Sequence, residues 1–192
     1  ILDLRSESDL NNTPPLQKGF IVVHIPINTG DMEHILHGIQ QEKIKTDTIY
    51  HMVEAMNREL VAKYQKEYKE IFDILLDKNS YPVVIHCSSG KGRTGIVSAL
   101  ILASLDVNAD IIMEDYRLSN DYFNIPKASK YAYNLPVNSQ EAITTLFSAK
   151  EDFLNAAKDE IERKYGDVPT YLRKAIGLQS EDIHRLRTIL LE

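Results

Sequence analysis

Residues 81–102 constrain the fold more than any other part of this chain. The run Tyr81-Pro82-Val83-Val84-Ile85 is apolar enough for a buried strand and ends at His86-Cys87, from which "SSGKGRTG" leads directly into Ile96-Val97-Ser98-Ala99-Leu100-Ile101-Leu102. That last run is apolar on nearly every side, as in a helix packed deep against a sheet. Strand, tight turn and buried helix form half of a parallel crossover unit. Two more β-type runs, residues 1–4 and 20–27, come earlier with helical patterns between them. The expected fold is therefore α/β, with a central, mostly parallel sheet flanked by helices, an anion-sized loop between a strand and a buried helix, and a helical C-terminal part.

The helical spacings are specific. Ile35, Leu36 and Ile39 mark one helix, and Tyr64, Tyr68, Ile71, Phe72 and Leu75 mark the inner face of a longer one. Beyond residue 102 only helices are expected. Asn108 caps a helix over 111–118, one continuous helix runs over 143–165 and stops at Gly166, and a last one starts near Ser180. Residues 121–139, with Pro126 and Pro136, read as a long connection within one domain.

Composition limits what such a fold can do. With 192 residues, 43% of them hydrophobic, the chain supports one domain, 1–192, with a real core. A net charge of -6 gives no basic field to recruit nucleic acid, so an anionic substrate needs a local site. No apolar run approaches the ~20 residues of a membrane span, and the single cysteine rules out an internal disulfide. His34 and His37 share a helix face but have no third ligand nearby, so neither a metal nor another cofactor is expected. The opening Ile1-Leu2-Asp3-Leu4-Arg5 reads as the end of a strand. Strands of the domain are therefore expected upstream, and cytoplasmic and secreted locations both stay open.

The chemistry gathers on the loop. Backbone N–H groups from Ser88 through Arg93 can converge beside a helix N-terminus, forming an anion cradle that includes Ser88, Ser89, Gly90, Lys91, Gly92, Arg93 and Thr94. Cys87, at its base, feels the helix dipole, those N–H groups and the Arg93 guanidinium, all of which favour thiolate. Arg93 can grip two oxygens of an oxyanion as lysine cannot, and the Thr94 hydroxyl is placed to stabilise the sulfur. His86 is read as fixing the loop rather than moving protons. A lone cysteine is usually a small buried hydrophobe; what outweighs that reading is the order strand, His-Cys, Gly-Lys-Gly-Arg-Thr-Gly, helix. A nucleotide-binding loop is excluded, because no glycine lies at the required distance before Gly90-Lys91.

This pattern resembles that of the cysteine-dependent protein tyrosine and dual-specificity phosphatases, whose signature is His-Cys, five residues, then Arg and Ser or Thr. It is most similar to their bacterial-type branch of tyrosine and lipid phosphatases. "DLRSESDL" at 3–10, "EDYRLSNDYF" at 114–123 and "YGDVPTYLRKAIGLQSEDIHRLRTILL" at 165–191 carry the likeness over the whole chain. The resemblance implies a parallel sheet flanked by helices, cysteinyl-phosphate chemistry and no metal, and it implies that some ~30 to 50 N-terminal residues of the domain are missing. One position departs from it. The branch usually has Gly-Lys-Asp-Arg with an Asp that takes part in catalysis, whereas here that position is Gly92. Gly-Lys-Gly-Arg is also similar to the loop of eukaryotic phosphoinositide 3-phosphatases, which take their acid from a separate loop.

The general acid is thus left to Asp3, at a strand's C-terminal end, or Asp31, after the second strand. For each there is a plainer role: Asp3 can pair with Arg5, and Asp31 can cap a helix. The function expected is a phosphomonoester hydrolase acting through a cysteinyl-phosphate, with a protein tyrosine phosphatase of broad specificity as the first reading. The alternatives are a phosphoinositide or inositol phosphate phosphatase, for which Lys91 is the hint, and a non-catalytic phosphate-binding module. The expected partner is accordingly a phosphorylated protein or a phosphoinositide.

Overall fold

The computed structural model describes residues 1–12, 19–123 and 134–191. Three short strands, β1 (Leu2–Asp3), β2 (Val23–His24) and β3 (Ile85–His86), form a parallel sheet in the order β2-β1-β3. In register, Leu2 faces Val23 and Ile85, while Asp3 faces His24 and His86. All three strands therefore end at one edge, where ligands collect in open parallel sheets.

The helices are α1 (Glu7–Asn12), α2 (Met32–Gln40), α3 (Thr46–Lys63), α4 (Gln65–Leu75), α5 (Gly92–Ser104), α6 (Ala109–Tyr122), α7 (Val137–Phe147), α8 (Glu151–Tyr165), α9 (Val168–Tyr171) and α10 (Ser180–Leu190). A π-helical turn, Leu172–Ile176, follows α9. The expected α/β architecture is observed. The main core joins Leu2, Leu4, Ile25 and Ile27 of the sheet region to Ile96, Val97 and Leu100 of α5 and to Tyr68, Ile71 and Phe72 of α4. Burying apolar area at ~25 cal/mol per Å² is what holds so small a sheet together. A second core, with Ile39, Ile49, Val53, Ile143 and Phe153, fastens α2, α3, α7 and α8 to one another.

Several boundaries differ from those read in the sequence. The second β run shrinks to two residues, with Phe20 and Ile21 exposed. Between α2 and α4 lies α3, an 18-residue helix missing from the sequence reading. Its C-terminal carbonyls are closed by buried tyrosines, since the Tyr68 hydroxyl donates to Leu60 O and that of Tyr171 to Val61 O. The helix expected over 143–165 is two helices with an extended break at Ser148–Lys150. Asn120 of α6 makes that break possible: its Oδ1 accepts from Ala149 N at 2.7 Å and its Nδ2 donates to Ala149 O at 3.0 Å, supplying the bonds that a continuous helix would make internally. The connection expected over 121–139 is partly helical, because α6 reaches Tyr122 and α7 begins at Val137; its middle, 124–133, lies outside the described residues.

Candidate active site

The loop from Cys87 to Lys91 joins β3 to α5. Gly90 has φ +69°, a left-handed turn that L side chains rarely adopt. Lys91 precedes the helix in a non-helical conformation and offers no side-chain cap, so the first N–H groups of α5 stay open toward the loop. At Gly95 the helix meets α6 so closely that a Cβ would lie 2.7 Å from the Tyr116 ring.

Cys87 is buried, and burial alone would push its thiol up. The Arg93 charge, the Thr94 hydroxyl and the N–H groups of Thr94 and Ser89 outweigh that and bring it below the ordinary thiol range. The Thr94 hydroxyl is itself buried and has no other hydrogen-bond partner among the described residues, so it is free to serve the sulfur as charge develops there.

Arg93 is gripped from one side. Its Nη1 donates to Asp9 Oδ2 at 2.6 Å, to Ile27 O at 3.1 Å and to Leu4 O at 3.2 Å, and its Nη2 to Ser88 Oγ at 3.1 Å. Ser88 Oγ in turn donates to Asp9 Oδ1 at 2.7 Å. The Nε–H and one Nη2–H keep no protein partner among the described residues, and that edge of the fork is what an oxyanion can take. Asp9 was not anticipated from the sequence. Burial would raise its carboxyl, but Arg93, Ser88 and Ser6 hold it far below the usual carboxylate range. The spacing Ser6 to Asp9 is that of a capping box, and the two residues do bond reciprocally, Ser6 N to Asp9 Oδ2 at 2.8 Å and Asp9 N to Ser6 Oγ at 3.4 Å. That signal could have revealed α1, though not the partner 84 residues away.

The other expected site residues take distinct places. Asp3 is buried at 2% exposure and paired through both oxygens with Arg5, at 2.9 and 2.7 Å, with His86 Nε2 3.6 Å away. Burial works against its charge, but the bonds from Arg5 prevail and keep the carboxyl below its ordinary range. Asp31 caps α2, accepting from His34 N at 3.0 Å. His86 approaches the Cys87 carbonyl through Nδ1 at 3.3 Å as well as Asp3, which fits a role in holding the loop. Lys91 turns its buried ammonium to Asn120 Oδ1, at 3.3 Å, to the Phe147 carbonyl and to the Phe123 ring; burial pushes it down to about 8.

Cys87, Ser89, Gly92 and Arg93 line a partly open cavity of about 60 Å³. Its other walls are largely apolar, with Met32, Val53, Met56, Tyr116 and Phe147 among them. No carboxylate borders it among the described residues, and neither Asp3 nor Asp31 does.

A parallel sheet ending in a cysteine-and-arginine anion loop defines a cysteine-dependent phosphatase fold, and the comparisons agree. Residues 1–192 match the tyrosine phosphatase family, to which the chain belongs. It is 30% identical over 122 residues to triple specificity protein phosphatase PtpB of Mycobacterium tuberculosis, covering 57% of this chain and 44% of that protein. It is 26% identical over 132 residues to a tyrosine-protein phosphatase of Nostoc commune, covering 66% and 45%. The chain thus spans about half the length of the curated relatives it matches.

Proposed function

We propose that this chain hydrolyses phosphomonoesters through a cysteinyl-phosphate, with phosphotyrosine as the preferred side chain and tolerance for other esters. The observation that carries the reading is the pairing of a thiol held toward thiolate with an arginine that lines the same cavity. In the first step Cys87 Sγ attacks phosphorus while the loop N–H groups and Arg93 hold the equatorial oxygens. The S–P bond forms, and the ester P–O bond breaks with its electron pair on the leaving oxygen. Water then releases phosphate. Apolar walls at Met32, Met56 and Phe147 suit an aryl group. The name of the mycobacterial relative, triple specificity, supports breadth. A phosphoinositide would call on Lys91, whose ammonium is already committed to Asn120 and Phe147, and a mere phosphate-binding module would not need the thiolate.

The test is turnover of p-nitrophenyl phosphate with and without vanadate, followed by a panel of phosphopeptides and phosphoinositides. Native protein is expected to turn over with vanadate inhibition and to favour phosphotyrosine peptides. Cys87→Ser should abolish turnover while vanadate still binds. More than a trace of activity in that variant would sink the mechanism.

A further inference from the structure

Asn57 stands in the stripe Ile49, Val53, Asn57, Leu60 on the inner face of α3 and is 1% exposed. Its Nδ2 donates to Val53 O at 2.8 Å. Because that acceptor is a carbonyl, only the amino end of the amide can face it, so the orientation is fixed. Oδ1 is left buried with no hydrogen-bond partner among the described residues. An unpaired buried amide oxygen is destabilising, and natural cores rarely keep one without a reason.

Its place supplies the reason. Asn57 borders the same cavity as Cys87 and Arg93, and a Cβ on Gly92 would stand 3.7 Å from the Cε of neighbouring Met56, so this turn of α3 lies against the loop. The cavity has room for more than one water-sized occupant. A pure acceptor there is of no use to the phosphoryl oxygens or to the leaving oxygen, which are acceptors themselves. What it fits is a donor, and the donor that the reaction brings in is water.

We infer that Asn57 Oδ1 is a positioning group that accepts a hydrogen bond from the water that cleaves the cysteinyl-phosphate. The inference rests on the proposed mechanism. With one hydrogen held by Asn57, the water directs a lone pair at phosphorus. The new O–P bond forms, the S–P bond breaks with its pair returning to Cys87, and both water protons end on the departing phosphate as dihydrogen phosphate. Asn57 takes no proton. The step balances without a general base, in keeping with a cavity that no carboxylate borders among the described residues.

Rapid acid quench of the protein reacting with p-nitrophenyl phosphate measures the formation and decay of cysteinyl-phosphate separately. Asn57→Leu, nearly isosteric and without an acceptor, is expected to slow decay at least tenfold, to accumulate intermediate and to lower kcat, while kcat/KM stays within about threefold of native. A purely structural role would instead depress formation and decay together. Asn57→Ala, which adds no bulk, gives the same reading if the leucine variant does not fold, and melting curves confirm that either variant is intact. Decay at the native rate with intermediate present, or equal losses in both steps, overturns the inference. Absence of any intermediate from the native protein overturns the underlying mechanism instead, and the two failures are therefore distinct.

Discussion

Four acceptors crowd one edge of Arg93, and the Asp9 carboxylate, at 2.6 Å, is the charged one among them. A guanidinium held this way would meet a bound oxyanion already oriented, so on the proposed mechanism little ordering would remain when the transition state forms. Arg93→Lys keeps the charge and loses the fork, and a loss of about 2 to 4 kcal/mol in transition-state stabilisation is expected, mainly in kcat. Asp9→Asn keeps the size and should cost less, roughly tenfold in kcat, because three acceptors remain. Since folding lowers the Asp9 carboxyl, the stability it contributes is present above the unfolded value of ~3.9 and is lost as pH falls through the lower folded value. The melting-temperature gap between native and Asp9→Asn should therefore narrow in strong acid. Gly92 is the other telling residue. It has no positive φ, and an added Cβ would meet only Met56 at ordinary contact distance among the described residues, so neither the backbone nor the first side-chain carbon of Gly92→Asp is strained. With no carboxylate bordering the cavity among the described residues, departure of the leaving group is expected to be poorly assisted, and kcat/KM should fall steeply from aryl to alkyl phosphates. Gly92→Asp should flatten that dependence. A native dependence that is already flat, steepened by Asp3→Asn or Asp31→Asn, would assign the acid to that aspartate instead.

Among the elements, the break between α7 and α8 is the least expected and the most informative. Apolar spacing runs through residues 143–165 without interruption, because periodicity reports which face is buried and not whether the backbone bonds continue. The interruption depends on Asn120, a side chain from another helix, and long-range bonds of that kind leave no local signal. Asn120→Ala removes both bonds to Ala149 and the contact to Lys91, and we expect a loss of about 2 kcal/mol of stability by denaturant unfolding. By contrast, the junction of β3 and α5 was legible, since apolar strand, small-residue turn and apolar helix are each local signals. The loop residues Cys87 and Arg93 were legible for the same reason. Asp9 was not: its capping spacing is local, but its partner is not. Asn57 did leave a trace, as the one polar member of an apolar stripe, on a helix whose weak alternation of polar and apolar residues concealed it.

At the scale of the whole molecule, the helical layer locks the site through close approaches as much as through bonds. Gly95→Ala would drive a methyl group against the Tyr116 ring and separate α5 from α6, with an expected cost of about 1 to 3 kcal/mol in unfolding free energy. Lys91 ties the same region together at a thermodynamic disadvantage. Its amine falls from an ordinary 10.5 to about 8 on folding, so at neutral pH the native state carries a buried charge that the unfolded chain solvates, a difference on the order of 3 kcal/mol. Between about pH 8 and 10 the unfolded chain binds the extra proton, so this penalty shrinks as pH rises. Compared with Lys91→Met, the native protein should therefore gain melting temperature steadily across that window. A fold organised around such a loop would in this respect be an alkaline-tolerant one, the buried charge of Lys91 relaxing under conditions that loosen most others.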